Sequence, residues 1–233
     1  EAVRQADIVV SLLENGPAVE HVLFHAGAAQ AMRPGTLFID MASIQPREAR
    51  DHAARLGEMG LAHLDAPVSG GTVGAENGTL AIMAGGRAED FARAQPVFAA
   101  LGRATHVGPH GSGQLAKLAN QMIVGITIGA VAEALLFAAK GGADMARVRE
   151  AIQGGFADSR ILQLHGQRMV DRDFAPKARM GVQLKDMRNA LGTAKEIGFD
   201  APVTTLFETL YAEGVEHGLG ELARRHAANL ANG

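Results

Sequence analysis

The chain has 233 residues, of which 47% are hydrophobic and 20% charged, and a formal net charge of −3. That balance permits one large core or two smaller ones, and it gives no long-range attraction to a polyanion, so no nucleic acid and no membrane partner is expected and a small molecule is the default ligand. Cysteine is absent, which excludes disulfides, thiolate nucleophiles and zinc sites of the usual kind, and suits the reducing environment of the cytoplasm.

In chain order, β-type runs alternate with helical ones over the first hundred residues. Runs at Asp7 to Leu13, Thr36 to Met41 and Ala62 to Ala66 are separated by helical stretches. Thr79 to Ala84 and Thr105 to Val107 follow as strands, with Glu89 to Leu101 as the helix between them. This rhythm predicts a parallel sheet with crossover helices, whose ligands bind beyond the carboxyl ends of the strands. If such a sheet holds a dinucleotide, a GxGxxG turn is required. None occurs in these residues, so the chain is expected to begin within an N-terminally incomplete domain of this type.

After Gly111 the pattern is helical throughout: about Gly113 to Lys140, then Met145 to Gln153, Ser159 to Val170, Val182 to Ile197 and Pro202 to His217. The fold class is therefore α/β followed by all-α, with residues 1–111 as a partial dinucleotide-binding domain and residues 112–233 as a helical domain for substrate and oligomer contacts. The apolar stretch from Met122 to Ala139 is interrupted by Thr127 and Glu133 and reads as a buried helix, not a membrane span. Gly125, Gly129 and their alanine neighbours would leave a flat surface for a homodimer or homotetramer contact.

Three segments carry chemistry. DAPVSGGTVGAENGTL, from Asp65 to Leu80, delivers a buried strand end into a glycine-rich loop whose N–H groups suit a carboxylate; a tight flexible turn would have the same glycine content. On the long helix Lys117, Asn120 and Gln121 stand at i, i+3 and i+4, sharing one face of an otherwise apolar cylinder. A lysine desolvated there would have its ammonium form disfavoured and would exchange a proton near neutrality, whereas a solvated polar stripe would continue along the same face. In LKDMRNAL, Asp186 suits a helix start and Lys185 does not, which points either to an anion beside Lys185 or to an exposed lysine lying over apolar surface. His21 and His25 have the spacing of two metal ligands but lack a third, and Ser69 lies in VSGG and not in a GxSxG elbow. No metal site is expected.

DMASIQP at Asp40 to Pro46, DAPVSGGTVGAENGTL, GSGQLAKLANQ at Gly111 to Gln121, and LKDMRNAL, in that order and spacing, resemble the β-hydroxyacid dehydrogenase family related to 3-hydroxyisobutyrate dehydrogenase. The tartronate semialdehyde reductases are nearest in pattern. The resemblance implies a Rossmann-type domain joined by a long helix to a helical domain, NAD or NADP as cofactor, and hydride transfer to a small carboxylate-bearing semialdehyde held in the cleft between the domains. By motif position it implies Lys117 as general acid/base, Ser69, Gly70 and Gly71 as the carboxylate cradle, and Asn120 with Gln121 as substrate-orienting groups. It places Leu13, Ser43 and Lys185 against the cofactor. Glu14 departs from the proline of many relatives. The Asn120–Gln121 pair disfavours 6-phosphogluconate chemistry and is shared with tartronate semialdehyde reductases. The alternatives are 3-hydroxyisobutyrate dehydrogenase, glyoxylate/succinic semialdehyde reductase, an imine reductase, and a catalytically silent scaffold; the last two typically lack the lysine.

Overall fold

The computed structural model describes residues 1–173 and 179–219. The chain divides into two units, Glu1–Leu118 and Ala119–Gly233.

The first unit is built on a six-stranded sheet. Strands β1 (Ile8–Ser11), β2 (Leu37–Asp40) and β3 (Ala62–Asp65) run parallel. Between β1 and β2 lie α1 (Gly16–Glu20), a wider π-type turn over His21–His25, and α2 (Ala28–Ala31). Between β2 and β3 lies α3 (Pro46–Glu58). It starts where it does because Pro46 stands at its first turn and Gln45 and Glu48 cap one another, the Gln45 N–H donating to Glu48 Oε2 at 2.8 Å. β2 is buried on both faces, as a central strand must be. Phe38 enters the core shared with Val19, Leu23 and Leu56, while Leu37 and Ile39 enter the opposite core with Leu64, Ile82 and Phe98.

Beyond β3 the sheet departs from the all-parallel expectation. Only six residues of helix, α4 (Gly71–Glu76), intervene between β4 (Val68–Ser69) and β5 (Leu80–Gly86), too little for a parallel crossover. The chain instead reverses, and β5 pairs antiparallel with both β3 and β4. A true crossover, α5 (Ala88–Leu101), then lays β6 (Gly102–Gly108) parallel to β5.

The boundary between the units falls inside α6 (Ser112–Lys140). The described part of the second unit is helical: α7 (Met145–Ile152), a π-type turn over Leu162–Gly166 running into α8 (Gln167–Val170), then α9 (Met180–Glu196) and α10 (Pro202–Gly214), the last continued by a turn over Val215–Leu219. Ile128, Val131, Ala132 and Leu135 of α6 form one core with Leu162 and Met169, and Met180, Leu184 and Met187 form another with Tyr211. The Tyr211 hydroxyl donates to the Gly125 carbonyl at 3.0 Å. Two expectations are corrected here. A Cβ on Gly125 would collide with Met187, and one on Gly129 with Phe207, so these glycines admit side chains of their own unit and are not open surface. Nor is α6 buried throughout: it is long and apolar enough to cross a membrane, and only 33% of its most apolar window is buried.

Candidate active site

Parallel register aligns the carboxyl ends of the first three strands, so Ser11, Asp40 and Asp65 stand side by side. Asp40 is fully buried and accepts from the Ser11 hydroxyl at 3.2 Å and the Ala42 N–H at 3.0 Å, while its second oxygen has no partner. Burial pushes its carboxyl up to about 7. Asp65 is also buried, and accepts from the N–H groups of Gly111 at 2.8 Å and Gln114 at 3.0 Å at the start of α6. Burial outweighs those donors and holds its carboxyl at about 6. A Cβ on Gly85 or on Gly113 would strike Asp65, so both positions must be glycine for the helix start to come this close. Gln114, fully buried, spans the backbone on either side of Ser43: its Oε1 accepts from the Ile44 N–H at 3.1 Å and its Nε2 donates to the Ala42 carbonyl at 2.9 Å.

This clasp fixes where Lys117 goes. One turn beyond Gln114 on α6, Lys117 is buried to 8% exposure and its Nζ donates to the Val68 carbonyl at 2.7 Å. The next three residues are Ser69, Gly70 and Gly71. Ser69 is half-buried, and Gly70 and Gly71 are exposed with φ of +145° and +64°, values that L side chains rarely adopt. Glycine backbone of this kind can present N–H groups to an anion. The structure thus brings Lys117, Ser69, Gly70 and Gly71 together, within one unit.

Asn120 and Gln121, the next polar residues of α6, open a hydrogen-bonded chain in the second unit. Asn120 Nδ2 donates to Gln121 Oε1 at 2.9 Å, and Gln121 Nε2 donates to Asp186 Oδ2. The other Asp186 oxygen lies 3.4 Å from Lys185 Nζ. Gln183 Nε2 donates to the Gln121 carbonyl at 3.1 Å. Gln121, Gln183 and Asp186 are buried. Because α9 starts at Met180, Lys185 occupies its second turn and not its start, and the anion beside Lys185 is its own neighbour Asp186.

Leu13 and Ser43 follow β1 and β2 at their carboxyl ends, both half-buried, with Leu12 at 67% exposure beside them. Apolar surface and a hydroxyl at that edge fit a nicotinamide dinucleotide. His21 and His25 are exposed, 5.8 Å apart between ring centroids. Sequence reasoning missed Asp65, Gln114 and Asp186 as site residues. For Asp65 and Gln114 the available signal was a polar residue beside apolar ones, whereas Asp186 sits among charged residues in LKDMRNAL, and the partners of all three lie 46 to 72 residues away.

Residues 1–109 match the NAD binding domain of 6-phosphogluconate dehydrogenase, and residues 111–231 match the NAD-binding region of NADP-dependent 3-hydroxyisobutyrate dehydrogenase. The chain is 46% identical over 215 residues to 2-hydroxy-3-oxopropionate reductase of Escherichia coli (strain K12), an alignment covering 90% of this chain and 74% of that one. The chain belongs to the β-hydroxyacid dehydrogenase family. It is also 36% identical over 216 residues to 3-hydroxyisobutyrate dehydrogenase of Pseudomonas aeruginosa, covering 89% of this chain and 72% of that protein. The solved 3-hydroxyisobutyrate dehydrogenase of Mycobacterium tuberculosis superposes with a TM-score of 0.90 at 30% identity, covering 100% of this chain and 81% of that one. This dehydrogenase is accordingly an NAD(P)-dependent oxidoreductase of the hydroxyacid class, with a Rossmann-type unit followed by a helical one.

Proposed function

We propose that this dehydrogenase reduces a small semialdehyde bearing a carboxylate, of the tartronate semialdehyde (2-hydroxy-3-oxopropionate) type, to the corresponding hydroxyacid. The observation that carries this reading is the bond from Lys117 Nζ to the Val68 carbonyl, which sets a buried ammonium directly beside the Ser69-Gly70-Gly71 backbone. The N–H groups of that loop and the Ser69 hydroxyl would hold the substrate carboxylate, fixing which carbon is presented. Lys117 would donate a proton to the carbonyl oxygen as it becomes an alkoxide, and take it back in the oxidative direction. Asn120 and Gln121, held in place by Asp186, would orient the substrate's remaining polar groups. The reduced nicotinamide supplies the hydride when bound, and Leu13, Ser43 and Lys185 would contact it.

The similarity to a 2-hydroxy-3-oxopropionate reductase supports tartronate semialdehyde ahead of 3-hydroxyisobutyrate, glyoxylate or succinic semialdehyde. Comparing kcat/KM across these four with NADH and NADPH tests the assignment. A rate for 3-hydroxyisobutyrate oxidation far above that for tartronate semialdehyde reduction would overturn it. A homodimer or homotetramer is part of the proposal, now resting on Ile123, Phe137, Ile197, Phe199 and Leu206 of the second unit, each more than half exposed. Light scattering reads it directly. The cytoplasm is the proposed location, in keeping with the absence of cysteine and a dependence on NAD(P)H.

A further inference from the structure

His63 on β3 is fully buried, yet neither ring nitrogen has a hydrogen-bond partner. One face of its ring stacks on Phe38, and His110, in the turn between β6 and α6, lies 5.5 Å away between ring centroids with its own Nδ1 buried and unpartnered. Leaving a buried polar atom without a partner is costly, and three such atoms lie together here. Asp65 completes the group, and one ligand atom from each of His63, Asp65 and His110 lies within 4.8 Å of the others.

We propose that His63, Asp65 and His110 form a site for a borderline divalent transition metal such as Zn²⁺ or Co²⁺. Two imidazoles and one carboxylate are a recurrent donor set for these ions, with a remaining position open to water. Asp65 is already oriented by the Gly111 and Gln114 N–H groups, which act as an outer shell. A route in exists: a cavity of about 450 Å³ is lined by both histidines, and its charged residues are paired among themselves, Arg87 with Glu89 and Arg93 with Asp90. Gly86 keeps that side clear, since a Cβ there would come within 3.2 Å of the His110 ring. Tetrahedral ligands at about 2.0–2.1 Å stand roughly 3.4 Å apart, so the side chains would draw inward on binding. The bound ion would tie the end of β3 to the turn that starts α6.

The test is titration of chelator-stripped protein with Co²⁺, read by visible absorption, and with Zn²⁺, read by calorimetry and by Tm. One equivalent should bind and raise Tm. His63→Phe, which keeps the ring stack, and His110→Gln should each weaken binding by more than about a hundredfold, beyond the usual loss for an outer-shell change, and abolish the Tm response. His110 is only half-buried, so His110→Gln carries the test should His63→Phe fail to fold. A His21→Ala/His25→Ala double variant removes the exposed histidine pair and should bind as the parent does. Absence of a saturable equivalent in the parent protein, binding undiminished in His110→Gln, or loss of binding in the double variant would each overturn the proposal.

Discussion

Lys117 Nζ lies 2.7 Å from the carbonyl oxygen of Val68, so the helix that carries the ammonium is fastened to the strand that ends in Ser69. The start of the same helix is clasped by Asp65, which accepts from the Gly111 and Gln114 N–H groups. Replacing Lys117 with Met keeps most of the stem volume and removes the proton donor. Turnover should fall by about a hundred- to ten-thousandfold with cofactor affinity little changed, while loss of the bond to Val68 should cost no more than about 1–3 kcal/mol of stability. If folded Lys117→Met protein turns over near the parent rate across the pH range, Lys117 is not the acid/base.

Gly71 separates conformational strain from ligand contact. Nothing lies within 4 Å of a Cβ added there, but its φ of +64° is left-handed. Gly71→Ala should therefore cost about 1–2 kcal/mol of stability while raising the KM for the semialdehyde much more than that for NAD(P)H. Equal shifts in both KM values, measured on protein shown to be folded, would place the carboxylate elsewhere.

Asp186 and Lys185 should behave very differently despite being neighbours. Asp186 is buried and accepts from Gln121, so Asp186→Ala leaves the Gln121 amide short of an acceptor and should cost at least about 1–3 kcal/mol. Lys185 is one-third exposed, and its ion pair with Asp186 is worth less than about 1 kcal/mol. Lys185→Met should leave chemical denaturation midpoints nearly in place and act chiefly on the cofactor KM. A large stability loss at Lys185 would make it a structural residue.

Asp40 gives the enzyme a stability that depends on pH. Burial, with smaller contributions from the neighbouring Asp65 and Glu48, raises its carboxyl from 3.8 to about 7. The folded protein therefore keeps a proton that the unfolded chain releases above about 4, so stability falls as pH rises from 4 to 7 and stays lower beyond, by a few kcal/mol at most. Asp40→Asn mimics the protonated acid and can still accept from Ser11 and Ala42 through its oxygen. With EDTA present, the variant should melt above the parent at pH 8, and the gap should close by pH 4 to 5. A gap that is the same at both pH values would show that Asp40 does not titrate in this range.

Much of this was legible along the chain. The strand–helix rhythm to Gly111, the switch to helix alone, and the shared face of Lys117, Asn120 and Gln121 are local periodicities, and the boundaries of α5, α6 and α7 came out within a residue of expectation. The family motifs are equally local, since each is a continuous run of residues. The reversal before β5 was hidden because Asp65 to Leu80 reads as a glycine-rich loop, and a loop's residues do not say whether the next strand runs parallel or antiparallel.

What only the tertiary structure decided are contacts made across long separations. Val68 meets Lys117 over 49 positions, Gln121 meets Asp186 over 65, and Ala42 meets Gln114 over 72. Gly125 and Gly129 read as bare surface in one dimension because nothing in their own helix says that Met187 and Phe207 will fill the space. His63 and His110, 47 residues apart, carry no spacing signal at all and meet because β3 and the turn after β6 flank the same end of β5. Side-chain type and period set which elements form. Register and crossover set which polar groups lose water together, and that loss of water is what raises Asp40 and leaves His63 without a partner.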